Sequence, residues 1–132
     1  MTKERLRNYR TLLKEKEILE QQIETVEATL FNPKIQRIKQ TPGVRSVGNA
    51  VEDLAAKHME LIDLYQDKLT GIATELIEIE RAIDALPPTE RNLMRLYYIN
   101  GKTWESVCVS IGYSWKQVHR IHGRALDMLK GE

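Results

Sequence analysis

The chain has 132 residues, 42% hydrophobic and 30% charged, with a formal net charge of +1. That length suits one domain, or one small domain with a helical arm, and is too short for a multidomain enzyme. Seven Gly, four Pro and a single Phe exclude collagen-like and disordered chains. No apolar run approaches the ~20 residues of a membrane span, and the opening MTKERLRNYR has no apolar signal core. A cytoplasmic location with no membrane partner is expected. The lone Cys108 cannot close a disulfide within the chain, which fits a reducing compartment.

Charge is uneven. Residues 1–86 carry 13 Lys/Arg and 15 Asp/Glu, whereas residues 87–132 carry 7 and 4. A basic C-terminal segment permits nucleic-acid binding without establishing it.

Tyr9, Leu12, Leu19, Ile23, Val26 and Leu30 follow alternating steps of three and four once Lys16 is allowed as an interruption, which predicts a helix over about 3–31. Thr2 is its cap, and Asn32-Pro33 ends it. Residues 33–48 read as a basic connector, with Lys34, Arg37, Lys39 and Arg45, a turn at Pro42-Gly43 and a short helical piece around Ile35 and Ile38. These cations either touch DNA or belong to a solvated loop.

A second stripe runs through Val51, Leu54, His58, Leu61, Tyr65, Leu69, Ile72, Leu76, Ile79, Ile83 and Leu86, started by a capping-box-like Asn49 and Glu52 and tolerating Gly71. Two long amphipathic helices and a short connector predict an antiparallel, coiled-coil-like hairpin. Its seam either closes on itself or also buries against a second chain.

Leu86-Pro87-Pro88 breaks the pattern into short helices. Thr89 is expected to cap the first, whose apolar face is Leu93, Met94, Leu96 and Tyr97, and Asn100-Gly101 terminates it. Thr103 caps a second helix, Trp104 to Ile111, ended by Gly112. Ser114 and Gln117 form a capping box for a third, reaching about Lys130. Two helices about a glycine-bearing turn make a helix-turn-helix. The small Cys108 is expected at the crossing, with Val107, Ile111, Tyr113, Val118 and Ile121 facing inward and Val118, Ile121, Ala125 and Leu129 as core. The fold class is therefore all-α: a hairpin over 1–86 as an oligomerisation or partner-binding arm, and a helix-turn-helix domain over 87–132.

Leu86-Pro87-x-x-Glu90, Arg95-Leu96-Tyr97-Tyr98, Asn100-Gly101, Trp104-Glu105, Ile111-Gly112-Tyr113-Ser114 and Val118-x-Arg120-Ile121-x-x-Arg124-Ala125-Leu126-x-x-Leu129 resemble region 4 of the sigma-70 family, the domain that reads the promoter −35 element. The resemblance covers about residues 86–130. Residues 1–86 do not resemble the sigma region that melts the −10 element, so a complete sigma factor is not expected. The combination is similar to small late-gene transcriptional regulators of phages and prophages of Gram-positive bacteria.

The resemblance implies base reading by Trp115, Lys116 and Arg120. Arg120 has the geometry for a bidentate contact to guanine, and Gln117 for adenine or a phosphate. Trp115 departs from the family's usual polar residue, and either touches a thymine methyl or folds back on the domain. His119 follows one turn on. Thr103, Lys102, His119, Arg124, Arg95 and Arg91 are candidates for positioning phosphates or for ordinary solvated surface.

Enzymatic readings lack parts. His119-x-x-His122 has no further ligands to complete a metal site, and neither a Gly-rich phosphate loop nor a nucleophile–base pair is recognisable, so no metal or cofactor is expected. His58 on the apolar stripe reads as a core or interface histidine. The leading expectation is a DNA-binding transcription regulator whose partners are double-stranded DNA, a second copy through 1–86, or RNA polymerase. A DNA-packaging protein of the small-terminase kind and a polymerase-binding adaptor that touches no DNA are the alternatives.

Overall fold

The computed structural model describes residues 1–30 and 45–131, with side chains from residue 50 onward in the second stretch. The connector residues Lys34, Arg37 and Lys39, the Pro42-Gly43 turn and the piece around Ile35 and Ile38 lie outside the described residues, as do the side chains of Arg45 and Asn49.

The described residues form helices and no strands. The elements are α1 (Lys3–Leu30), α2 (Arg45–Asp84), α3 (Pro88–Met94) continued by a π-helical turn (Arg95–Ile99), α4 (Trp104–Ile111) and α5 (Trp115–Lys130). Thr2 caps α1 as expected, its Oγ1 accepting from the Arg5 amide at 3.3 Å. The start of α3 corrects the sequence reading. Thr89 is not the cap: Pro87 occupies that position without a side-chain bond and Pro88 sits in the first turn, where its missing N–H is no loss.

The chain divides into two compact units, Met1–Lys14 with Ala73–Glu132, and Glu15–Ile72. This grouping differs from a boundary drawn at Pro87-Pro88, because helix breaking marks where the backbone turns and not which side chains pack together.

The first unit has an enclosed core. Leu6, Ile79, Ile83, Leu93, Met94, Val107, Val118 and Leu129 are fully buried, each large apolar side chain contributing roughly 1.5–3 kcal/mol. The start of α1 is fastened to the end of α2: Arg5 makes a bidentate pair with Glu75 (2.7 and 2.8 Å) and also reaches Glu78, while the Tyr9 hydroxyl donates to Glu80 at 2.8 Å. These bonds raise the Arg5 pKa and lower that of Glu75. Burial, then Glu80, pushes Tyr9 up to about 12.

In the second unit Val51, Ile62 and Ile72 are buried, while Leu19, Ile23, Val26, His58, Leu61, Tyr65 and Leu69 are only half-buried. Leu54, expected on the stripe, is 43% exposed. Ile62 rather than Leu61 is enclosed, eleven residues and about three full turns after Val51. Nδ1 of His58 is buried without a hydrogen-bond partner.

Candidate nucleic-acid interface

Local chemistry sets the helix-turn-helix. Thr103 Oγ1 accepts from the Ser106 amide at 3.2 Å and starts α4. Gly112, at φ 74°, ends it in the left-handed region that favours glycine. Ser114 and Gln117 close the expected capping box, Ser114 N donating to Gln117 Oε1 (3.2 Å) and Gln117 N to Ser114 Oγ (3.3 Å). Val118, Ile121, Ala125 and Leu129 line the buried face of α5, as their spacing requires.

Three inner-face expectations need correction. Tyr113 is 40% exposed and lines a groove of about 660 Å³ with Thr89, Gln117, Arg120 and Arg124, because the left-handed Gly112 turns the chain outward just before it. Cys108 and Ile111 are half-buried; the fully enclosed residue of α4 is Val107.

The first turn of α5 is open to solvent. Lys116, Gln117 and Arg120 are exposed, and Trp115 keeps 53% of its surface accessible. The Trp115 ring leans on His119 with centroids 4.7 Å apart, so it is anchored and exposed together. Thr103, Lys102 and Arg124 are exposed, with Arg124 3.9 Å from the buried Glu90.

His119 and Arg95 are placed differently from free phosphate-positioning groups. His119 lies between Trp115 and Trp104, 4.9 Å from the latter, with Nε2 buried and unpartnered. Arg95 is held by Glu80 (2.9 Å) and Asp84 (2.8 Å). Arg91 Nε donates to the Leu86 carbonyl at 3.3 Å.

An aromatic cluster behind α5 was not legible in the sequence. Tyr97 stacks on Trp104 at 3.8 Å, and Trp104 meets the edge of His122 at 4.7 Å. The Tyr98 hydroxyl and His122 Nε2 share a 2.7 Å hydrogen bond. Burial, then Lys3, His119 and Arg7, lowers His122 to about 4, so it is neutral at pH 7. Burial, then Tyr97, raises Tyr98 to about 12. Tyr98 is buried and Tyr97 half-buried within the π-helical turn, one turn beyond the core residues Met94 and Leu93. Two adjacent tyrosines before Asn-Gly were the available signal, but their partners Trp104 and His122 come from other helices.

Among the described residues no three His, Cys, Asp or Glu side chains stand together as a metal site, and no helix is long and apolar enough to cross a membrane. No curated protein and no solved structure matches the chain. A family match exists for the C-terminal part, over residues 82–131, to the family described as Sigma-70, region 4. It starts within the last turn of α2, where Ala82 and Ile83 are already core. With its capped helices and left-handed turn at Gly112, residues 82–131 are a sigma-70 region 4-like helix-turn-helix domain.

Proposed function

We propose that the chain is a non-enzymatic, sequence-specific DNA-binding transcription regulator of the phage or prophage kind, working in the cytoplasm. In this reading α5 enters the major groove of double-stranded DNA and presents Trp115, Lys116, Gln117 and Arg120 to base edges. Thr103, Lys102 and Arg124 hold phosphates alongside. The observation that carries it is the first two turns of α5: after a complete capping box, Trp115, Lys116, Gln117 and Arg120 stand in solvent, while the opposite face of the same helix is core. The sigma-70 region 4 match over the same residues supports it.

The half-buried apolar positions among the described residues between 15 and 72 support a homodimer or higher oligomer, since apolar surface left partly open on paired helices is what further helices would cover. RNA polymerase is the alternative partner. Sedimentation equilibrium of the full chain separates these, because a monomer at micromolar concentration removes the dimer.

Selection of duplexes from a random pool by the full chain is expected to yield a preferred site. Arg120→Ala should then cost about 1–3 kcal/mol on that site and much less on random duplex. Equal losses on both would remove Arg120 from the base-reading set.

A further inference from the structure

The opening three turns of α1 carry a set of cations outside the site just described. Lys3, Arg7, Arg10 and Lys14 recur at steps of four, three and four, which places them within about 60° of one another on one helix face, along roughly 16 Å. All four are exposed. None is in an ion pair among the described residues, although neighbouring cations are: Arg5, on the opposite face of α1, is taken by Glu75 and Glu78, and Arg95 by Glu80 and Asp84. Arg5 and Arg95 are thus held by carboxylates of α2, and the cations of the stripe are not.

The stripe is fixed beside the helix-turn-helix. At one end the Met1 amino group donates to the Leu129 carbonyl at 3.2 Å. Thr2 and Lys3 share a groove of about 500 Å³ with Gly123, Leu126 and Asp127 on the flank of α5, where Asp127 faces Lys130 at 3.8 Å. Lys3 and Arg7 act electrostatically on His122, inside the same helix. Further along, Arg10 Nη1 donates to the Ile99 carbonyl at 3.4 Å and its guanidinium lies against Gly101, immediately before the exposed Lys102 and the Thr103 cap. The stripe thus links the flank of α5 to the start of α4.

We propose that Lys3, Arg7, Arg10 and Lys14, with Lys102, form a second DNA-binding surface that holds the sugar-phosphate backbone of duplex DNA flanking the bases met by α5. The inference rests on the DNA-binding reading above. Charge complementarity carries it: a duplex offers one negative charge per ~1.7 Å of axis, and an unpaired row of cations gains affinity by releasing the counterions condensed there. Such contacts place the protein on the duplex and carry no base information.

The test is fluorescence anisotropy of the full chain on a short random-sequence duplex across a salt series. With all four cations of α1 replaced (Lys3→Gln, Arg7→Gln, Arg10→Gln, Lys14→Gln), the slope of log Kd against log salt should become shallower by about 2–4, at ~0.9 for each phosphate no longer neutralised. The milder pair Lys3→Gln with Lys14→Gln should lose about half of that, and Arg7→Lys with Arg10→Lys should keep the slope. Lys57→Gln with Lys68→Gln, in the other unit, should leave it unchanged. Circular dichroism melting checks each fold; if the fourfold variant fails to fold, the milder pair decides. An unchanged slope in the folded stripe variants, with Lys116→Gln and Arg120→Gln still weakening binding, overturns the stripe alone. No duplex binding by the unaltered chain overturns the DNA-binding reading itself.

Discussion

The two compact units are built from the same two long helices, yet their interiors differ. Where α1 and α2 pass residues 1–14 and 73–84 their apolar positions are enclosed, Leu6, Ile79 and Ile83 completely. In residues 15–72 positions of the same periodicity, such as Leu19, Ile23 and Leu69, remain half-buried. Periodicity is equal in both, so the difference lies in how many layers surround the seam. The first unit adds α3, α4 and α5, whereas the described residues of the second are segments of α1 and α2. A helical pattern specifies which face seeks cover, and the number of neighbours decides how much cover it finds.

The largest expected effect breaks this comparison directly. Leu6→Ala should cost about 2–5 kcal/mol of stability, because it opens a cavity in an enclosed core. Ile23→Ala should cost clearly less, about 1 kcal/mol, because its side chain already meets solvent. Chemical denaturation of both variants measures the difference; equal costs would mean that the seam of the second unit is as closed as that of the first, as an oligomer would make it.

A pH titration sharpens the comparison from the other side. His122 has its pKa depressed to about 4, against an ordinary value of 6.5, with burial the main cause. The unfolded chain therefore binds the proton more readily, so this contribution to stability is complete above about pH 6.5 and is lost as pH falls towards 4. The loss amounts to about 3 kcal/mol. Melting temperatures between pH 7 and pH 4 should fall for the natural chain and less steeply for His122→Gln. Identical slopes would assign the acid sensitivity to other groups.

A smaller effect is expected at Gly101. Its φ of 70° suits glycine, and an added Cβ would meet the Arg10 guanidinium. Gly101→Ala should cost about 1–2 kcal/mol, by thermal denaturation, through the left-handed strain and the displaced arginine. A neutral substitution would show that Arg10 moves aside freely, and that this corner adds little to the packing of α1 in the first unit.

Neighbours along the chain were enough to specify the helices, most of their caps and the position of the exposed turn that opens α5. Ser114 with Gln117, Thr103 before Trp104, and Gly112 act on the backbone within a few residues, so their consequences can be read locally. The four core positions of α5 follow from helical spacing for the same reason. Which cations remain free depended instead on tertiary packing. Arg95 and Arg5 resemble Arg120 and Arg7 in sequence, but carboxylates from α2 pair with the first two, and those partners stand 11 to 73 residues away. Packing likewise set His119 against Trp104 and Trp115, paired the Tyr98 hydroxyl with His122, and joined the first fourteen residues to the helix-turn-helix. Side-chain pairing and enclosure depend on residues brought together by folding across distant parts of the chain, and periodicity along one helix carries no information about them.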